Sequence, residues 1–88
     1  MLPTHRPPTH PGEVLLEDFL KPLGMTQVDL AAQIGVPIQR VNEIVHCRRG
    51  VSIDTAIKLA QFFDMSAEFW AGLQLDYDLW HAQHEMVG

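Results

Sequence analysis

Residues 26–46, TQVDLAAQIGVPIQRVNEIVH, read as two short helices joined by a tight glycine turn. Thr26 is a good N-cap, and Asp29, three residues on, is a short form of the capping-box partner. Met25 before the cap and Leu30 at the fourth helical position suit a hydrophobic staple. Leu30, Ala31 and Ile34 give the apolar stripe of a short amphipathic helix. Gly35 stands where a left-handed turn residue is least strained, and Pro37 falls at the first position of the next helix, where its missing N–H matters least. In that second helix Val41, Ile44 and Val45 share one side, with Ile38 beside them. Gln39, Asn42, Glu43 and His46 fall on the opposite side, with Arg40 on the flank. An apolar back and a front of amide, carboxylate and imidazole groups suit the DNA major groove. The plainer alternative is the solvated face of an αα-hairpin.

Working outward toward the N-terminus, EVLLEDFLK places Leu15, Leu16, Phe19 and Leu20 on one face, with Pro22 and Gly24 ending the helix. Its early acidic residues Glu13, Glu17 and Asp18 suit the positive end of a helix dipole. Before it, residues 1–10 (MLPTHRPPTH) are proline-rich and read as an extended arm, either frayed or packed on a partner. Toward the C-terminus, CRRGVS is a short basic loop. Ser52 caps a further helix whose expected buried side is Ile53, Ala56, Ile57, Ala60 and Phe63.

Ser66 caps a last helix, over about 66–86, with two apolar stripes. Phe69, Trp70, Leu73, Tyr77 and Trp80 form one; Leu75, Leu79, Ala82 and Met86 form the other. A surface helix needs one buried face, so two stripes imply a core contact and a second chain. The bulk of the aromatic stripe assigns it to the core and leaves Leu75, Leu79, Ala82 and Met86 for a homodimer contact, although the two roles can be exchanged. Gly72 weakens this helix by roughly 1 kcal/mol relative to alanine and suggests close approach there.

With 88 residues the chain makes one domain, over 11–88, and a marginal core. No apolar run is long enough to span a membrane, and the N-terminus lacks the apolar segment of a secretory signal. A single cysteine, Cys47, fits a reducing cytoplasm. The net charge of −5 opposes nucleic-acid binding until its distribution is considered. Over 1–25 Arg6 and Lys21 face Glu13, Glu17 and Asp18; over 26–50 Arg40, Arg48 and Arg49 face Asp29 and Glu43, leaving +1. Over 51–88 Lys58 alone faces Asp54, Asp64, Glu68, Asp76, Asp78 and Glu85. A reading head of +1 binds DNA weakly as a monomer, which implies dimerisation. The acidic third suits a basic protein partner. His81 and His84, with Asp78 or Glu85, lack the further ligands of a zinc site. No nucleophile with a fixed base and no phosphate loop is present, so neither catalytic residues, metal nor cofactor are expected.

The segments HPGEVLLEDFLKPLGMTQ, RVNEIVH, RRGVSIDTAIKLAQFF and SAEFWAGLQLDYDL, in that order, resemble the HigA family of antitoxins, also called virulence-associated protein I, and 26–44 resembles a Cro/phage-repressor (XRE) helix-turn-helix. The resemblance covers roughly residues 10–80 and implies an all-α, five-helix, lambda-repressor-like domain that dimerises on a palindromic operator. It implies phosphate contacts from Thr26, Gln27, Arg48 and Arg49, and base reading by Gln39, Arg40 and Glu43. Asn42 and His46 would then lie at the groove margin and Pro37 and Ile38 at the helix entry, with Ile38 against a thymine methyl or packed inward. Glu43 would oppose the phosphates unless it accepts from a cytosine amino group. The family further implies autoregulation and neutralisation of a HigB-type, mRNA-cleaving ribonuclease toxin. A stand-alone phage-like repressor and a protein-interaction module are the alternatives.

Overall fold

Val41, Ile44 and Val45 are buried together with Leu15, Leu20, Leu30, Ile34, Leu59 and Trp70, so the apolar back of the 38–45 helix lies at the centre of the core. The computed structural model describes residues 7–87, without the side chains of Met86 and Val87. Residues 1–6 of the expected arm and the Met86 side chain of the expected dimer stripe therefore lie outside the described residues. Five helices follow in order, with no strand among the described residues. The first, α1 (11–23), is continuous and contains Pro11–Val14, a π-helical turn Leu15–Leu20, and Lys21–Leu23. After it come α2 (Gln27–Ile34), α3 (Ile38–Val45), α4 (Ile53–Phe63) and α5 (Ala67–Val87). The 21-residue α5 stretches the molecule to 41 × 23 × 23 Å.

Helix α1 differs from expectation at both ends. Its N-cap is His10, buried rather than part of the arm, whose Nδ1 accepts from the Gly12 N–H at 2.9 Å. At the other end the helix runs through Pro22 and stops at Gly24, in the left-handed conformation (φ 65°). A proline inside a regular α-helix collides with the carbonyl four residues back. Here Lys21 N–H bonds to Leu16 five residues back, and the wider π turn accommodates the ring. The same five-residue spacing puts both Leu15 and Leu20 fully inside.

Thr26 and Asp29 form a complete capping box on α2, at 3.0 and 3.1 Å. Gly35 ends it with φ 72°. Pro37 is the extended N-cap of α3 (ψ 143°), one position earlier than expected, and Ile38 is 44% exposed rather than packed with Val41. Helix α4 is rotated relative to expectation: Thr55, Ala56, Leu59 and Ala60 are buried, whereas Ile53 and Ile57 are exposed. Thr55 can turn inward because the Ser52 hydroxyl donates to Thr55 Oγ1 at 3.1 Å, satisfying its polar atom. On α5, Trp70 is fully buried and its ring meets Phe19 of α1, which also meets Phe63 of α4 (centroids 5.1 and 4.7 Å). Phe69 is 40% exposed at the edge of that cluster. Leu75, Leu79 and Ala82 are exposed. A Cβ on Gly72 would meet nothing within 4 Å among the described residues, so the close approach expected there does not occur among them.

The close approach lies instead at Gly12. A methyl there would overlap the Ile44 carbonyl oxygen and sit 2.7 Å from its carbon, so α1 and α3 meet backbone to backbone. Gly12→Ala is expected to destabilise the fold by roughly 1–3 kcal/mol, as overpacking against rigid backbone does, measured by urea unfolding. An unchanged midpoint would show that α3 moves freely at this point.

His10 gives a pH prediction. Burial pushes its imidazole below the ordinary histidine value of 6.5, against the pull of Glu13 and Asp78 and with the push of His81. Its Nδ1 must be unprotonated to accept from Gly12. Unfolded chains therefore bind more protons below pH 6.5, so stability is full above that value and falls as the pH drops toward the lowered folded value. Urea midpoints across this window should fall, and His10→Asn, which keeps a capping acceptor, should flatten the step.

Candidate nucleic-acid interface

The turn between α2 and α3 leaves the polar front of α3 on the surface. Gln39, Asn42 and His46 are exposed and Glu43 is half-buried on the same side, opposite the buried Val41, Ile44 and Val45. Pro37 and Ile38, both exposed, stand at its N-terminal end. Arg40 is half-buried on the flank facing α4, near enough for its charge to add to the lowering of Asp54, whose carboxyl is held down chiefly by a hydrogen bond from Lys58 at 2.7 Å.

Helix α2 enters this surface through its N-terminus. Asn42 Nδ2 donates to Gln27 Oε1 at 3.1 Å, which joins the two helices and uses the acceptor of the half-buried Gln27, whose amide N–H groups remain donors. Thr26 accepts from Asp29 as a cap, and its hydroxyl hydrogen is still available to donate. These are groups suited to phosphate oxygens. His46 closes α3: its Nδ1 donates to the Asn42 carbonyl at 2.8 Å, which fixes the tautomer and presents Nε2 outward.

Beyond α3 the chain turns through Cys47, a non-glycine residue in left-handed conformation (φ 61°). Its thiol is pushed up by burial and by Glu13, the reverse of what its cationic sequence neighbours suggest, and this disfavours a reactive thiolate. Arg48 and Arg49 are both exposed in the loop that follows. Arg49 Nε donates to Glu43 Oε1 at 2.7 Å, so the carboxylate that would repel phosphates is partly compensated within the chain. The structure thus joins Gln27 to Asn42 and Arg49 to Glu43 along the α3 front that Gln39 and His46 share, with Thr26 beside Gln27, Arg48 exposed beside Arg49, and Arg40 on the flank.

Three contacts of this surface carry no local sequence signal. Gln27 and Asn42 are 15 residues apart, and Gln74, whose Oε1 accepts from the Val51 N–H, is 23 residues from it. Gly12, which seats α3, reads in sequence as an ordinary helix lead-in. Elsewhere, among the described residues, no three His, Cys, Asp or Glu side chains gather as metal ligands; His84 stacks on Trp80 and donates to its carbonyl. No helix of the described residues is long and apolar enough to cross a membrane.

Comparison with known proteins bears on the same elements. The family described as Helix-turn-helix matches residues 16–70. The chain is 42% identical to virulence-associated protein I of Dichelobacter nodosus over 79 residues, 90% of this chain and 73% of that protein. It is similar to the solved Pseudomonas aeruginosa antitoxin HigA with the higBA promoter (TM-score 0.84, 40% identity, 91% of this chain and 90% of that one). It is similar also to antitoxin GraA in complex with its operator (TM-score 0.86, 39% identity, all of this chain and 92% of that one).

Proposed function

Because the chain belongs to the XRE-type helix-turn-helix family, in its HigA or virulence-associated protein I branch, we propose that it is a sequence-specific DNA-binding repressor and the antitoxin of a type II toxin–antitoxin pair. The observation that carries this reading is the exposed polar front of α3, backed by core and joined to α2 through Asn42 and Gln27. In the major groove Gln39 and Arg40 read base edges. Glu43 holds Arg49 and offers its second oxygen to a cytosine amino group. Asn42 and His46 lie at the groove margin, and exposed Ile38 meets a thymine methyl. Thr26, Gln27, Arg48 and Arg49 hold phosphates on either side.

A homodimer places two copies of α3 about 34 Å apart on a palindromic operator. Leu75, Leu79 and Ala82 form its contact, since they are an apolar set that the chain's own core leaves uncovered; Met86 completes the stripe in sequence. The relatives solved with the higBA promoter and with an operator support autoregulation of the protein's own operon. The name antitoxin, together with the acidic balance of residues 51–88, supports a basic partner: a HigB-type mRNA-cleaving ribonuclease, neutralised in the cytoplasm. Copurification with the product of an adjacent small basic reading frame tests this; its absence, with operator binding intact, favours a stand-alone repressor.

Two further outcomes are expected. Gln39→Ala and Arg40→Ala each weaken operator binding by about 1–3 kcal/mol, whereas Arg48→Ala and Arg49→Ala weaken all DNA alike and flatten the slope of log K against log salt. Gel shifts at several salt concentrations separate the two patterns, and undiminished affinity in the first pair removes α3 from the groove.

Leu79→Glu puts a charge into the dimer contact. Sedimentation should show a folded monomer with helical circular dichroism retained and operator binding lost. A variant that remains dimeric moves the contact elsewhere on the surface.

A further inference from the structure

The loop that carries Arg48 and Arg49 is held from two sides. On one, Glu43 of α3 accepts from Arg49. On the other stands Gln74 of α5, whose Oε1 accepts from the Val51 backbone N–H at 2.7 Å while its Nε2 donates to Asp78 Oδ1 at 2.9 Å. Val51 is 5% exposed, so the Gln74 oxygen replaces water for a donor the fold has withdrawn from solvent. Gly50 lies flat on the same amide: a Cβ there would come within 2.7–2.8 Å of Gln74 Nε2, Cδ and Oε1. Asp78 sets the orientation. With Nε2 drawn to its carboxylate, Oε1 faces Val51; the flipped amide would set donor against donor.

We propose that Gln74 is a positioning residue for DNA binding: it touches no nucleic acid but fixes the place from which Arg48 and Arg49 meet the sugar–phosphate backbone. The proposal rests on the reading of this loop as a phosphate contact. A loose loop must lose conformational freedom when its arginines engage phosphates, and that ordering weakens binding. A loop already tied to α5 has been ordered by folding. The effect is blind to sequence, because phosphates carry none.

The test compares full-length variants on two probes, a random-sequence duplex and the duplex upstream of the protein's own coding region. Gln74→Met keeps the stem and volume but loses the acceptor. It should weaken binding to both probes by the same factor, about three- to tenfold, and lower the salt slope by about one. In an Arg48→Ala/Arg49→Ala background the same change should add nothing. The charge-conserving exchange Gln74→Glu with Asp78→Asn rebuilds both bonds: the carboxylate at 74 accepts from Val51 and from the carboxamide at 78. That exchange should restore affinity and slope. Should Gln74→Met lose its helical circular dichroism, Gln74→Asn takes its place, being neutral and one methylene too short to reach Val51. Wild-type binding by the folded single variant, equal weakening in the arginine-free background, or a folded exchange variant that stays weak overturns the role of Gln74. Wild-type protein that retards neither duplex overturns instead the DNA-binding reading on which it rests.

Discussion

The backbone of Gly12 lies against the Ile44 carbonyl, and much of the molecule is arranged around that contact. It brings the start of α1 onto the last turn of α3 at a distance no side chain permits. Because α3 is only eight residues long, it has little helical stability of its own and depends on the core for its orientation. Val41, Ile44 and Val45 supply the burial, and Gly12 supplies the angle. The His10 cap then matters beyond α1: it satisfies the amide of the residue that makes the contact and packs edge-on against Tyr77 of α5 (centroids 4.8 Å). The orientation of α3 is thus tied to the first and the last helix.

Charge is organised just as locally. A net charge of −5 would repel DNA if it were spread evenly. Instead six of the eleven acidic side chains fall in residues 51–88 against Lys58 alone, while residues 26–50 carry Arg40, Arg48 and Arg49 against two acids. On the front of α3 Glu43 is the exception, and Arg49 offsets it at 2.7 Å. The Arg49 side chain is exposed and that of Glu43 half-buried, so solvent still screens the pair and it adds little stability. Its effect is on where the guanidinium stands, as that of Gln74 is on where the loop stands.

The apolar surface left over is large for so small a domain. Ile53 and Ile57 on α4 and Leu75 and Leu79 on α5 are all more than two-fifths exposed. Ala56 and Ala60 lie on the buried face of α4, and the two isoleucines lie on its exposed face. The marginal core of a chain this size gains from covering such surface.

Sequence alone determined what depends on neighbours within a helical turn or two. The Thr26–Asp29 box, the left-handed Gly35, and the division of α3 into Val41, Ile44 and Val45 against Gln39, Asn42, Glu43 and His46 all follow from residue type and a 3.6-residue period. The family resemblance was legible for the same reason, since its segments are short and ordered along the chain. Tertiary structure decided what depends on one helix's rotation against another. A period shows that α4 has a buried face but not which one, because Ile53 and Ile57 satisfy the pattern as well as Thr55 and Leu59 do. The passage of α1 through Pro22 required a π turn, a choice of hydrogen-bond register that residue preferences do not encode. Gln27 with Asn42, Gln74 with Val51 and Gly12 with Ile44 are contacts across 15 to 32 residues, set by packed cores and invisible to local propensity.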